Sequence, residues 1–268
     1  MICPECGKEI PDGAKFCTEC GAAINAEAVS DVPAPVAAKK PLEFHKVGTT
    51  VPAVEFTLNK GDSIYTQSGG MVWQTEGISM VTNTKGGLMK GLGRMLAGES
   101  LFMATYTADR DGAVVAFGST VPGDIIPFDL TGTPGIIAQK RAFLCAENGV
   151  DVSIAFTKRF SAGLFGGEGF ILQDIKGNGH VFLEVDGDQI IRDLAPGEVL
   201  KVDTGNVVAF DKSVSYEIET VKGFSNILFG GEGLFLTKLT GPGRVVLQTQ
   251  NFLDFAMRVG SLLPTKTS

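Results

Sequence analysis

The 268-residue chain reads as an all-β protein: three tandem β repeats forming a pseudo-threefold sandwich or barrel, preceded by a small four-cysteine module. Three observations predict this. Its 35 glycines are roughly twice the usual share of about 7%, which argues for many tight turns between short strands. The phrase Phe165-Gly166-Gly167-Glu168-Gly169-Phe170 returns as Phe229-Gly230-Gly231-Glu232-Gly233-Leu234, with a worn copy at Ala97-Gly98-Glu99-Ser100-Leu101-Phe102. Paired cysteines open the chain at Cys3, Cys6, Cys17 and Cys20.

In order along the chain, Cys3-Pro4-Glu5-Cys6-Gly7 and Cys17-Thr18-Glu19-Cys20-Gly21 come first. Two residues between thiolates let both sulfurs reach one tetrahedral ion, and the following glycine permits a turn that aims backbone N–H groups at sulfur. Four thiolates fill the coordination sphere and leave no place for water or substrate. The expected site is a structural zinc in a ribbon spanning residues 1–24, which would fold only with its ion. Redox-active thiols or disulfides are the competing reading, and reduced cysteines in a chain without a secretory signal favour metal and a cytoplasmic location. Lys8 and Lys15 face Glu5, Glu9, Asp12 and Glu19, a balance that suits a protein-contact or oligomer-organising module rather than DNA. The fifth cysteine, Cys145, lies in an apolar run and is expected to be a buried, inert thiol. Residues 25–45, rich in Ala and carrying Pro33, Pro35 and Pro41, read as a linker.

Residues 46–268 then carry the repeats, each with four beats. A turn followed by an acid opens each unit at Gly61-Asp62, Pro122-Gly123-Asp124 and Pro196-Gly197-Glu198. A second turn enters Met71-Val72-Trp73, Ile136-Ile137-Ala138 or Val207-Val208-Ala209, and the Gly-Glu phrase with its strand is third. A glycine turn leads the last strand at Ala113, His180 and Arg244. Both faces of these strands are apolar, which suits burial between sheets or an oligomer interface. Apolar residues at helical spacing from Phe252 to Val259 predict a short carboxy-terminal helix over the barrel or a neighbouring subunit.

Upstream of each Gly-Glu stands a lysine, within Lys90 and Arg94, Lys158 and Arg159, and Lys222. Gathered around one axis, these loops would form a face for an anionic or membrane-surface partner; the plainer reading is a glycine bend with an apolar plug at the barrel end. Glu99, Glu168 and Glu232 read as hydrogen-bond acceptors at the glycine turn, or alternatively as a carboxylate cluster holding a metal in an enzyme. The run Gly86-Gly87-Leu88-Met89-Lys90-Gly91 lacks the Gly-Lys-Ser/Thr ending of a phosphate loop. His45 falls in the linker, His180 is replaced by Ala113 and Arg244 in its sister units, and Asp186 and Asp188 sit in a turn where carboxylates are solvated. A formal charge of -7 opposes nucleic acid as a partner, and no motif identifies a small-molecule substrate. No apolar stretch approaches the roughly eighteen residues of a membrane span, so membrane contact is expected to be peripheral. These readings converge on a non-enzymatic binding or scaffold protein that associates with protein partners or itself.

Gly70-Met71-Val72-Trp73, Leu96-Ala97-Gly98-Glu99-Ser100-Leu101-Phe102, Pro122-Gly123-Asp124-Ile125, Val202-Asp203-Thr204-Gly205 and Gly241-Pro242-Gly243-Arg244-Val245 together resemble the altered-inheritance-of-mitochondria protein twenty-four family over roughly residues 52 to 251. The resemblance implies an all-β domain similar to the tryptophan RNA-binding attenuation protein fold, often oligomeric, whose eukaryotic relatives are mitochondrial and linked to inner-membrane organisation. It supplies no catalytic residue to carry over. This chain departs by adding the ribbon and showing no transit peptide.

Overall fold

The computed structural model describes residues 2, 3, 5–12, 14, 16–22, 42–67, 69–84, 102–158, 170–220 and 235–263. They belong to two units, divided after residue 41. In the first, Ile2 pairs antiparallel with Glu9, and Ile10 is buried with Cys3 and Cys17.

The second unit is all-β, and the strands follow the glycine turns. Its first stretch holds β1 (Glu43–Val47), β2 (Ala53–Leu58), β3 (Ser63–Gln67), β4 (Met71–Gln74), β5 (Ile78–Thr84), β6 (Phe102–Ala108) and β7 (Ala113–Gly118). The next holds β8 (Gly123–Asp129), β9 (Ile136–Gln139), β10 (Phe143–Glu147), β11 (Val150–Lys158), β12 (Phe170–Gly177) and β13 (His180–Asp186). The last holds β14 (Gln189–Leu194), β15 (Val199–Asp203), β16 (Val207–Asp211), β17 (Ser215–Thr220), β18 (Phe235–Thr240) and β19 (Gly243–Gln248), followed by helix α1 (Phe252–Leu262).

Strand pairing is antiparallel throughout the described residues and follows one order in each stretch. In the first, β2 pairs with β7, β7 with β4, β5 with β6 and β6 with β3. The second runs β8 with β13, β13 with β10, β11 with β12 and β12 with β9. The third runs β14 with β19, β19 with β16, β17 with β18 and β18 with β15. Successive stretches join through β3 and β10, then through β9 and β16. The resulting sheets are β1-β2-β7-β4, β5-β6-β3-β10-β13-β8, β11-β12-β9-β16-β19-β14 and β15-β18-β17. The expected pseudo-threefold repeat is not confirmed as a closed arrangement, because among the described residues the sheets are unequal and β4 and β15 remain edges.

Pairing corrects two sequence readings. Pro122-Gly123-Asp124 opens β8, which pairs as β2 and β14 do, whereas Gly61-Asp62 and Pro196-Gly197-Glu198 open β3 and β15. Ile136-Ile137-Ala138 likewise belongs to β9, while its supposed sisters at Met71 and Val207 begin β4 and β16, so in the middle unit these turns lead into strands one place earlier in the pairing order. Residues 43–45, assigned to the linker, form part of β1, where Glu43 to Val47 register against Thr57 to Ala53.

On β13 and β19 both strand faces are buried. On β13, Val181, Leu183 and Val185 enter one core with Tyr65, Phe143 and Val246, while Phe182 points the other way into a core with Phe56, Ile64 and Phe117. This is the period-2 alternation of a strand serving two cores. The Phe182 ring meets Phe56 and Phe44 edge-on at centroid distances of 4.9 Å each. On β19, Val246 and Val245 divide similarly between that first core and a third one with Phe170, Leu172 and Phe210. Each fully buried side chain of this kind stabilises by roughly 1.5–3 kcal/mol.

Candidate metal centre

The ribbon brings its four cysteines together through two like-built knuckles. Gly7 N–H donates to the Cys3 carbonyl at 2.9 Å and Gly21 N–H to the Cys17 carbonyl at 2.8 Å. Both glycines sit at positive φ, 68° and 75°, a region that side chains disfavour, so the glycine after each second cysteine is required by the turn. The Cys3 and Cys17 amides donate onward to Lys8 and Ala22 carbonyls at 2.8 and 2.7 Å. Cys3 and Cys17 are thereby buried beside Ile10, with Cys6 and Cys20 at the surface.

All four Sγ atoms lie within 4.8 Å of one another, and the Cys3–Cys20 and Cys6–Cys17 pairs are 3.7 Å apart. Zinc–sulfur bonds of about 2.3 Å at tetrahedral angles require sulfur separations of about 3.8 Å, so the cluster has the right edge length for one ion. Its electrostatics point the same way. The amides of Cys20 and Glu19 draw the Cys17 thiol down to about 7. At Cys6 the Lys8 amide also favours the thiolate, but the Cys20 sulfur, burial and the other two cysteines outweigh it and push the thiol up to about 12. Four mutually touching sulfurs cannot all carry charge unless a cation shares the site. The chemistry is that of a closed, four-sulfur metal cluster.

Of the other singled-out residues, Lys158 ends β11 opposite Phe170. Lys90, Arg94, Arg159 and Lys222, and with them Glu99, Glu168 and Glu232, lie outside the described residues, so the proposed basic face and carboxylate cluster fall there too. Cys145 is fully buried and desolvation pushes its thiol up, as expected of an inert core cysteine. His180 is held by Glu147, whose Oε2 lies 3.1 Å from Nδ1 and accepts the His180 amide at 2.6 Å, and its ring lies 5.5 Å from Phe44. His45 is no linker residue: its Nε2 meets Glu55 at 3.2 Å, and Trp73 Nε1 donates to the same carboxylate at 2.7 Å.

Asp186 departs from the solvated turn former expected. It is half-buried beside a cavity of about 260 Å³ that also touches Arg141, Glu184 and Gln248, and its Oδ2 accepts the Phe252 amide at the start of α1 at 2.8 Å. Burial, then the nearby Glu184, raise its pKa. Asp188 is exposed, as expected. A long-range contact of this kind left only the Asp-Gly-Asp turn visible in the sequence.

A zinc-ribbon domain model matches residues 2–24. An uncharacterized protein of Streptococcus pyogenes serotype M6 is 30% identical over 225 residues, covering 81% of this chain and 89% of the relative. An X-ray crystal structure of a Streptococcus pyogenes protein superposes with a TM-score of 0.68 at 26% identity, covering 83% of this chain and all of the other. The family model described as Mitochondrial biogenesis AIM24 matches residues 44–250, from the second residue of β1 through β19, and the chain belongs to that family.

Proposed function

We propose that the protein is a non-enzymatic scaffold that binds protein partners, beginning with further copies of itself, and holds one structural zinc in each ribbon. The observation that carries this reading is the apolar surface the fold leaves uncovered. Helix α1 buries none of its residues among the described ones, and Phe252, Phe255, Met257, Val259 and Leu262 are all exposed. Met71, Val72 and Trp73 on β4 are exposed as well. Apolar side chains left exposed in groups on a helix and on an edge strand mark surfaces for another molecule to cover. Zinc is supported by the four-sulfur donor set and its spacing, and a reducing, cytoplasmic setting by free thiols at Cys3, Cys6, Cys17, Cys20 and Cys145.

Peripheral membrane contact is the second reading, and the same exposed face of α1 favours it. No described helix is long and apolar enough to cross a membrane. Native mass spectrometry of the full chain tests both stoichiometries at once. Masses at multiples of the chain with one zinc per protomer are expected. A strictly monomeric protein that also fails to float with anionic vesicles would end the scaffold reading, and more than one bound metal per chain would redirect attention to the carboxylates at Glu99, Glu168 and Glu232.

A further inference from the structure

Among the described residues the free edges differ in kind. Strands β5, β11 and β17, which pair alike, are edges in all three stretches, whereas β8 and β14 are edges whose sister β2 is covered by β1, a strand without a counterpart in the other stretches and itself an edge. The two remaining edges, β4 and β15, have sisters that pair with one another. β10 and β16 are covered by β3 and β9, but their sister β4 is an edge; β3 and β9 are covered by β10 and β16, but their sister β15 is an edge. We infer that β4 of one copy pairs antiparallel with β15 of the next, so that copies join head to tail through the same joint the chain makes twice within itself. This rests on the self-association proposed above and names its surface.

The register follows from the two joints already made. Each of β10, β16 and β4 carries a bulge against its inner neighbour, between Phe143 and Cys145, Val207 and Ala209, and Met71 and Trp73. The residue after the bulge meets the penultimate residue of the covering strand: Cys145 opposite Thr66, and Ala209 opposite Ala138. On β15 that position is Val202, just before Asp203 and a 3-10 turn at Thr204–Asn206, as Ala138 precedes Gln139 and the turn at Lys140–Ala142. The joint between copies therefore sets Trp73 opposite Val202 and Gln74 opposite Lys201.

Burial supports the assignment independently. The bulge residues Leu144 and Val208 are 5% and 0% exposed under their covering strands, whereas Val72 is 57% exposed. Cys145 and Ala209 are 0% and 1% exposed, against 37% for Trp73. An uncovered apolar edge is a template for another strand, and one that meets a different edge makes a heterologous contact that propagates or closes into a ring.

Oxidative cross-linking of the full chain tests the joint. Gln74→Cys and Lys201→Cys are made in separately tagged chains, with Trp73→Cys and Val202→Cys as a second pair because alternate cross-strand positions differ in sulfur geometry. The parent chain and the off-register pair Gln74→Cys with Val199→Cys serve as controls. Covalent heterodimer at one in-register pair, formed only on mixing, is the expected result, and both cysteines of that pair in one chain should give a ladder of dimers and higher species. Absence of cross-linking at both pairs, or a cross-linked monomer showing closure within one chain, overturns the inference. Multimers by native mass without cross-links leave the scaffold reading standing and remove only this joint; a monomer removes both.

Discussion

Tyr65 is fully buried where two stretches of the fold meet, and its hydroxyl donates to the Val150 carbonyl at 2.8 Å. Burial first, then the charge of Asp151, pushes its phenol up, so it remains a neutral donor. Tyr65→Phe keeps the ring against Phe143, 5.8 Å away, and removes the hydroxyl's hydrogen bond to Val150. Equilibrium unfolding in guanidinium is expected to show a loss of about 1 kcal/mol with an unchanged slope. An unchanged midpoint would mean the hydroxyl contributes nothing in the folded state. The ribbon shows the opposite case, in which chemistry is local enough to read directly: two residues between cysteines and a glycine after them are sufficient to place four sulfurs around one point.

At the scale of elements, Asp186 ties the end of β13 to the start of α1. Its folded pKa is raised by burial and by Glu184, so folding favours its protonated form. The contribution to stability is therefore fully present below the unfolded value of about 3.9 and is lost as pH rises through the folded value. Asp186→Asn keeps an oxygen to accept the Phe252 amide and removes the charge. The variant should exceed the parent in urea midpoint at pH 7, with the gain vanishing at about pH 3; a loss at pH 7 would show that the carboxylate's charge is what holds α1. Element boundaries were legible wherever glycines and acids mark a turn, as at Gly241-Pro242 before β19. Phase was not, because Pro122-Gly123-Asp124 and Pro196-Gly197-Glu198 look alike yet open strands with different neighbours. Turn chemistry reports that a bend occurs; only pairing reports which strand follows.

For the whole molecule, what distinguishes Met71-Val72-Trp73 from Val207-Val208-Ala209 is what covers them, and both read as apolar strands in the sequence. The sequence could therefore announce an all-β chain with apolar faces on both sides while leaving open which of them meets another copy. The unmatched pair β4 and β15 makes assembly from further copies the natural completion of the fold. Hydrogen–deuterium exchange followed across protein concentration tests it most directly. Amides of Met71–Gln74 and Val199–Asp203 should gain protection together as concentration rises, approaching that of β10 and β16, and lose it on dilution. Exchange at both strands that does not change with concentration, while native mass shows multimers, would contradict it.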